Sequence, residues 1–235
     1  MRRDPGLKLR WKKMSRALIS LLLIGIVQIN ASAQDDRVYT MDAEASRADI
    51  LVRKGGKLAW FGHDHVVSTT KIEGSISLAA KFADSRAELN VLLDTLEVDR
   101  EDLREHYDIN KKIPGSAKKS TRENMLGKVL ESIHWPEVSI VATVAVPDPR
   151  RPMLEIAFTM HGVTLNFELS VSLQVNADEL RANGTFGLLQ TDYGIEPYSA
   201  VIGGLVVQNS VEIHFNLVAN RQHPDPGKNH EGTNH

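Results

Sequence analysis

Cysteine is absent from the 235-residue chain, and this excludes a disulfide framework, a thiol nucleophile and a lipid-modified N-terminal cysteine. Without cross-links, the fold has to be stabilised by the burial of apolar side chains. About 200 residues follow a removable leader, which is enough for one sizeable core. The sequence therefore predicts a single domain with its own hydrophobic interior.

Common catalytic motifs are absent as well: no G-x-S-x-G, G-x-x-x-x-G-K-[ST] or H-E-x-x-H occurs in the sequence. The charged stretch 99–112 contains paired carboxylates, but nothing in its pattern indicates that they are buried. It is therefore interpreted as a solvated loop and not as an acid–base site. These observations predict a protein that is not an enzyme.

The first 33 residues have the pattern of a secretory signal peptide. Seven basic residues precede an apolar stretch at 17–29, and Ala31-Ser32-Ala33 matches an A-x-A cleavage site. The apolar stretch is shorter than the roughly 20 residues that a membrane-spanning helix needs. Cleavage would leave Gln34 as the mature N-terminus without a stable membrane anchor, whereas an uncleaved leader would act as an anchor. Both alternatives predict a periplasmic or secreted protein.

Removal of this leader makes the chain acidic. It takes away seven of 28 Lys and Arg residues and one of 30 Asp and Glu residues, which leaves 21 basic and 29 acidic residues and a net charge of −8. An acidic protein is a poor binder of nucleic acid or of an anionic membrane surface. We therefore expect neither as a partner, and a homodimer stays open.

Alternation of apolar and polar side chains with period 2 dominates the sequence from Val38 onward, as in strands that bury one face. The longest run, 163–175, is about twice the usual strand length and predicts a bent strand or a curved sheet. Turn-forming residues separate most of the segments. Other alternating or β-rich stretches are 48–52, 63–78, 87–93, 138–146, 154–160, 180–188 and 211–217.

About eight such strands joined by tight turns predict an all-β fold, either an antiparallel sandwich or a closed barrel. The barrel is favoured because closure removes the sheet edges. Residues 220–235 have no apolar periodicity and are predicted to be a disordered tail, which leaves 38–219 as the domain.

One segment, 100–130, breaks the alternation and is rich in charge. Its last part, 118–130, has a helical composition, and four apolar residues fall close together on one helix face: Met125, Leu126, Val129 and Leu130. The segment is predicted to form one or two short helices that lie against the barrel.

Five local patterns, taken in order, resemble a known family. They are Tyr39-Thr40-Met41-Asp42 with Ser46, Asn124-Met125-Leu126, Trp135-Pro136-Glu137-Val138, Phe158-Thr159-Met160-His161-Gly162-Val163-Thr164 and Thr191-Asp192-Tyr193-Gly194-Ile195. Their order and spacing resemble the YceI-like polyisoprenoid-binding proteins, bacterial periplasmic proteins with a lipocalin-like extended β-barrel. The resemblance covers 38–219 and implies a barrel of about eight strands around an apolar, ligand-binding cavity.

Two departures limit what this resemblance transfers. Phe61-Gly62-His63-Asp64-His65-Val66-Val67 stands where many members carry a variable strand, and Gln190 stands where an arginine is common. The identity of the ligand therefore does not carry over, whereas a barrel around an apolar cavity does. No cofactor is expected beyond an apolar lipid or isoprenoid ligand.

The sharpest local feature is His63-Asp64-His65. On a strand, both histidines share one face, so that they could donate N–H groups to the polar head of an apolar ligand. They could also bind Zn²⁺ or Cu²⁺ if a third donor came from His134, His161 or His214. A third interpretation is that the two side chains cap the barrel or bond to a neighbouring strand.

Aromatic side chains are the other candidates for the wall of the cavity, although each of them also fits an ordinary core. An eight-stranded barrel is just wide enough to be filled by side chains or to hold one small ligand. The glycine-rich stretch 190–204 is interpreted as turns and as a lid over the barrel. The candidate wall residues are Trp60, Phe61, Phe82, Trp135, Phe158, Phe167, Phe186, Tyr193 and Phe215.

Three functions are consistent with these observations. The first is a carrier or sequestering protein for a long isoprenoid, isoprenoid quinone or fatty-acid derivative. The second is a periplasmic metal-binding protein or metal-dependent hydrolase that uses His63 and His65. The third is a structural or stress-related module with a filled core and no ligand.

Overall fold

The computed structural model describes residues 36–200 and 204–223, so the predicted leader and most of the predicted tail lie outside the described residues. The described residues form a sheet of thirteen strands, and every pair of neighbouring strands is antiparallel. The strands are β1 (Arg37–Met41), β2 (Arg47–Gly55), β3 (His65–Thr69), β4 (Ile72–Leu78), β5 (Arg86–Leu92), β6 (Glu97–Val98), β7 (Glu137–Val146), β8 (Met153–Met160), β9 (Val163–Ser170), β10 (Ser172–Val175), β11 (Glu179–Leu189), β12 (Ser199–Ala200) and β13 (Leu205–Arg221).

Helices are few and short. Helix α1 (Glu101–His106) and helix α2 (Gly115–Asn124) both lie in the insertion where helices were predicted, and α2 continues into a π-helical turn at Met125–Val129. Four short 3₁₀ segments are Ala59–Phe61, Phe82–Asp84, Leu93–Thr95 and Gln190–Tyr193. Within the described ranges, no helix has both the length and the apolar character needed to cross a membrane.

The last strand, β13, organises the sheet. Its 17 residues pair with β11 along one edge, while the other edge pairs first with β2 and then, near the C-terminal end, with β1. From β1 the sheet continues through β4, β5, β7 and β8 to β9, and from β2 it continues through β3 to β6. The strand also corrects the prediction for the tail, because residues 220 and 221 belong to β13 and pair with β1.

The long alternating run is divided at Val171, which is buried. Strand β9, before this residue, pairs with β8, and β10, after it, pairs with β11. Among the described residues the ladder does not close into a ring, and it has thirteen strands instead of about eight. The antiparallel, β-rich fold is confirmed, and the eight-stranded barrel is not.

The hairpin between β8 and β9 shows how local sequence sets the turns. Its two loop residues, His161 and Gly162, have φ angles of 52° and 74°. Two positive φ values in succession are typical of the two-residue turn that matches the twist of a hairpin, and glycine adopts them without strain. A Cβ atom at Gly162 would also lie 2.5 Å from the ring of Trp135. The predicted separation of 154–160 from 163–175 by turn-forming residues is therefore confirmed, and only glycine fits the second position of this turn.

The largest apolar cluster lies between the sheet and the helical insertion. All four apolar residues of the predicted helix face, Met125, Leu126, Val129 and Leu130, pack against it. A second cluster, farther along the sheet, is formed by Tyr39, Leu78, Leu173, Leu180 and Ala219. The insertion therefore packs against the sheet, as predicted.

The ligand cavity and its histidine end

A cavity of about 710 Å³ lies along the inner face of the sheet. This volume is within the range of ligand pockets, which is about 300–1,000 Å³. Its wall follows the strand period: alternate residues of β13 from Val211 to Leu217 and of β8 from Leu154 to Met160 face the interior. The alternation seen in the sequence therefore builds this wall, and the interior is not filled by the protein's own side chains.

One glycine shapes the wall. Gly184 of β11 pairs with Phe215 of β13, and a Cβ atom at this glycine would lie 2.7 Å from the phenyl ring. The missing side chain therefore lets the ring of Phe215 lie across the neighbouring strand, where it lines the cavity.

The cavity extends along most of β13. This strand contributes wall residues from Leu205 to Leu217. Twelve residues of a straight strand rise about 40 Å, and the register shift between Val207 and Val211 makes the span shorter. The cavity therefore has the length to hold an extended chain.

The two ends of the cavity have different linings. The end that we call the histidine end is lined by Lys54, Phe61, His63, His65 and Leu205. The opposite end, called the Phe82 end, is lined by Leu78, Phe82, Arg86, Leu173 and Leu180.

The ionisable side chains in the wall are few, and none is acidic. Among the described residues that line the cavity there is no aspartate or glutamate; the ionisable ones are Lys54, His63, His65, Arg86 and Tyr198. Lys54, His63 and His65 lie together at the histidine end and give the apolar wall its basic, polar pole.

A buried carboxylate holds His65 in place. His65 Nδ1 lies 2.6 Å from Asp99 Oδ2, and the side chain of Asp99 is fully buried. The other carboxylate oxygen, Oδ1, accepts hydrogen bonds from the Val66 backbone N–H at 3.2 Å and from Arg104 Nη1 at 2.7 Å. Each oxygen of this carboxylate is therefore satisfied, and one ring nitrogen of His65 is committed to it.

The network joins three separate elements. Asp99 follows β6 in a left-handed conformation with a φ of 58°, and its backbone N–H donates to the Val66 carbonyl at 2.8 Å. Arg104 is on α1, and its guanidinium also donates to the carbonyl oxygens of Asp64, at 3.1 Å, and Lys111. Helix α1 and the loop after it are thereby fixed to the start of β3.

The burial of Asp99 and Arg104 corrects the prediction that 99–112 is a solvated loop. Asp99 is 0% exposed and Arg104 5% exposed. Burial by itself would raise the pKa of Asp99, but the hydrogen bonds from His65, Arg104 and Val66, together with the attraction of His65, hold this pKa below its usual value. The carboxylate therefore stays ionised inside the protein.

His63 lies beside this network. Its ring centroid is 6.2 Å from that of His65, and both rings line the cavity. Burial lowers the pKa of His63, and the positive charges of Lys111, His65, Arg104 and Lys54 lower it further. The histidine end is therefore a region of positive potential.

The residue between the two histidines takes the other side, as expected for an extended segment. Asp64 accepts a hydrogen bond from the Lys54 backbone N–H at 2.9 Å and forms an ion pair with Arg53 at 3.3 Å. Its side chain does not line the cavity. The predicted division of the segment into two faces is confirmed, although β3 begins only at His65.

Seven of the eleven predicted site residues line the cavity. Three of them lie at the histidine end, Phe82 lies at the Phe82 end, and the other three lie between these ends. The seven are Phe61, His63, His65, Phe82, Phe158, Phe186 and Phe215.

The other four predicted residues have different surroundings. Trp60 is 66% exposed, and Trp135 covers the hairpin at Gly162. Tyr193 is buried against Phe158, with ring centroids 5.8 Å apart. Phe167 stacks on Phe186, with centroids 5.3 Å apart, where β9 and β11 face each other without hydrogen bonds. These four side chains do not line the cavity.

The hypothesis of a metal site finds no support in the side-chain geometry. In the described part of the chain, no three His, Cys, Asp or Glu side chains are arranged to hold a metal ion. Two of the proposed third donors have other neighbours: His161 lies 3.2 Å from the Tyr193 carbonyl oxygen, and His214 lies by Glu212. Neither of them joins His63 and His65.

The sequence reasoning missed Lys54 and the supporting pair Asp99 and Arg104. Lys54 lies beyond the predicted β-rich stretch 48–52, but it is near the end of β2 and lines the cavity. Its position two residues after Val52, in phase with Ala48 and Ile50, would have placed it on the inner face. Nothing in the sequence connects Asp99 with His65, because they come from elements that meet only in the fold.

The predicted lid also contributes to the wall. In the stretch 190–204, Gln190, Ile195, Tyr198 and Ala200 line the cavity, and β12 pairs with β13. Residues 201–203 lie outside the described residues. Gly194 has a φ of 71°, as expected for a glycine in a turn.

Comparison with known proteins agrees with this architecture. A polyisoprenoid-binding domain from Saccharophagus degradans, implicated in plant cell wall breakdown, has a similar structure, with a TM-score of 0.55 and 15% identity over 78% of this chain and 98% of that one. BcnA from Burkholderia cenocepacia is similar with a TM-score of 0.54 and 14% identity over 76% of this chain and 99% of that one. At such low identity these likenesses show the fold alone.

Comparison with curated proteins gives no match. The sequence profile of the YceI-like domain, in contrast, matches residues 39–219, which comprise almost all of the described strands. The matched range begins in β1 and ends near the end of β13, so it contains the whole wall of the cavity. This chain therefore belongs to the family of YceI-like domains.

Proposed function

We propose that this protein is an exported carrier or sequestering protein that holds one long apolar ligand in its cavity. The ligand is an isoprenoid, an isoprenoid quinone or a fatty-acid derivative. The observation that carries the proposal is the cavity itself, about 710 Å³ in volume and walled by apolar side chains along the length of the sheet. Transfer of an apolar chain from water to such a wall is favourable, by about 0.8 kcal/mol for each buried CH₂ group.

Two further observations support the proposal. The family includes a relative described as a polyisoprenoid-binding domain. The leader pattern in residues 1–33 supports export to the periplasm or beyond, where an apolar molecule needs a carrier between membranes. Binding of this kind requires no chemical step, and we propose a binding protein and not an enzyme.

In the proposed complex, the chain of the ligand contacts Phe158, Phe186 and Phe215 in the middle of the cavity, and its polar head contacts His63 and His65. This assignment follows the division of the wall into a long apolar part and a short basic pole. Pockets that bind small molecules commonly combine an apolar lining with a few polar groups that fix orientation.

The test is to express the full chain with its leader and to identify the lipid that co-purifies. Extraction with organic solvent followed by mass spectrometry should give about one apolar ligand per protein molecule. Protein freed of lipid should take up an added isoprenoid quinone or palmitate. The absence of both co-purified lipid and uptake would contradict the proposal.

A pair of variants ties this binding to the cavity. Ala142 of β7 lines the cavity, so that Ala142→Phe should obstruct it and reduce uptake. Ala157 of the neighbouring strand β8 does not line it, and it lies between the inward-facing Ile156 and Phe158. Ala157→Phe is therefore the matched control and should leave uptake unchanged.

A further inference from the structure

We propose that the ligand carries an anionic head group, a carboxylate or a phosphate, which is held at the histidine end of the cavity by Lys54, His63 and His65. This inference rests on the proposed function and specifies the class of its ligand.

The first argument is the charge of the wall. The chain without its leader has 29 acidic and 21 basic residues, yet among the described residues no acidic side chain lines the cavity. The charged or chargeable nitrogen groups in the wall are Lys54, His63, His65 and Arg86. A neutral ligand would not need this separation of charge. An anionic head group does, because a carboxylate in a low-dielectric wall would repel it.

The second argument concerns which basic groups are available. Asp99 neutralises Arg104, and Asp64 is paired with Arg53. Arg86, at the other end, lies 2.7 Å from Glu88 in an exposed pair. Lys54 forms no ion pair with any described residue, and the two histidines lie beside it in the wall. The positive charge that has no partner in the cavity is therefore at the histidine end.

The third argument is the geometry of His65. Its Nδ1 lies 2.6 Å from the ionised carboxylate of Asp99. The ring therefore carries a proton on Nδ1, and this N–H group donates a hydrogen bond to the carboxylate. The other ring nitrogen, Nε2, has no hydrogen-bond partner among the described residues and is left for the ligand. When Nε2 also carries a proton, its N–H group donates to an oxygen of the anionic head group, and Asp99 balances the charge of this imidazolium.

Binding of the anion in this way needs no chemical step. The N⁺–H group at Nε2 donates to the ligand oxygen, and no covalent bond of the ligand forms or breaks. Hydrogen bonds of this kind, with both partners charged, are about twice as strong as neutral ones. Asp99 and Arg104 act as positioning residues, since they hold His65 and touch no ligand.

The surroundings of His63 agree with this assignment. Burial lowers the pKa of this ring, and four neighbouring cationic groups from β2, β3, α1 and the loop after α1 lower it further. The acidic groups nearby, Asp64 and Asp99, are already paired. The neighbouring positive charges that disfavour a proton on His63 also favour an anionic head group beside this ring.

The experiment compares ligands that have the same chain and different heads. The full chain, purified and freed of lipid, is titrated with palmitate and with 1-hexadecanol, and then with geranylgeranyl phosphate and with geranylgeraniol. We expect the acid of at least one pair to bind roughly tenfold more tightly than its alcohol, as one charge-assisted hydrogen bond implies. The pair that shows the preference distinguishes a fatty acid from an isoprenoid phosphate.

Two lysine variants locate the preference. Lys54→Met should remove most of the preference for the acid, because the affinity for the acid should fall more than the affinity for the alcohol. Lys57 is exposed on the adjacent turn, so that Lys57→Met is the matched control and should keep the preference. If Asp99 positions His65, Asp99→Asn should lower the affinity for the acid more than the affinity for the alcohol. It should not lower both affinities equally.

The possible results separate the two proposals. Equal binding of acid and alcohol, or tighter binding of the alcohols, would overturn the anionic head group while the carrier function stands. An acid preference that survives Lys54→Met would overturn the site. If none of the four ligands binds, and no other apolar ligand co-purifies, the carrier function itself fails.

Discussion

The two ends of the cavity are built in different ways. At the Phe82 end, side chains such as Leu78, Leu173 and Leu180 come from alternating strands and pack by shape and apolar area. At the histidine end, His65 depends on Asp99 and Arg104, which come from different elements and are held by hydrogen bonds of defined geometry. From this comparison we propose that the apolar end accepts a range of chains, whereas the histidine end selects the head group.

Removal of the buried charge at the histidine end should give the largest effect. Asp99→Asn leaves Arg104 as an uncompensated buried cation, so the free energy of unfolding should fall by about 3–5 kcal/mol. Denaturant titration of the wild type and the variant measures this. The control is Asp102→Asn, which removes an exposed carboxylate that lies 2.8 Å from Arg100 and should cost at most about 1 kcal/mol. Equal losses in both variants would contradict the role of the network.

At the Phe82 end, a cavity-forming substitution should have the next largest effect. Leu180 is 2% exposed, and Leu180→Ala should lower the free energy of unfolding by about 2–4 kcal/mol and leave the preference for an acid over its alcohol unchanged. Leu189→Ala, on the same strand but 43% exposed, is the control and should have little effect. A changed head-group preference in Leu180→Ala would break the distinction between the two ends.

The pH dependence of the Asp99 effect should be smaller and has a definite sign. The folded protein holds the pKa of Asp99 below its ordinary value of 3.8, so that the ionised carboxylate stabilises the folded state above that pH. This contribution is lost as the pH falls through the lower folded-state pKa. The difference in stability between wild type and Asp99→Asn should therefore stay constant as the pH is lowered from about 7 to about 5, and shrink only as the pH falls below about 4. A difference that grows on acidification would contradict this.

The smallest effect is expected from Arg86, the one basic residue among the described residues that line the cavity at the Phe82 end. Arg86 forms an exposed ion pair with Glu88, and such pairs contribute about 0–1 kcal/mol. Arg86→Met should change neither stability nor head-group preference by a measurable amount. If this variant lost the acid preference while Lys54→Met kept it, the head group would belong at the opposite end.

The same contrast explains what could be predicted from the sequence. Strands, turns and the apolar wall depend on local alternation and on residues such as Gly162, so the sequence alone indicated them. The insertion helix was predicted to begin near residue 118, but α2 begins at Gly115. The apolar residues that indicate this helix lie after α2, from Met125 to Leu130, so they do not mark where it begins. The number of strands was underestimated because 63–78 and 163–175 each form two strands, and because strands of two residues, such as Glu97–Val98, carry no detectable period.

The histidine network could not be predicted from the sequence. Asp99 and Arg104 lie in a segment whose composition is that of a solvated loop, and composition does not show that two charges neutralise each other inside the protein. Their burial depends on the meeting of β3, β6 and α1 in the fold. His63 and His65 were recognisable as a pair, whereas the residues that orient them were not.

The division of the long strand at Val171 also has a mechanical consequence. Where β9 and β11 face each other, stacked rings of Phe167 and Phe186, with centroids 5.3 Å apart, replace interstrand hydrogen bonds. Side-chain packing, and not a shared ladder of backbone hydrogen bonds, therefore holds β9 against β11 at this point. Substitution of Phe167 should loosen this contact without removing any hydrogen bond between these two strands.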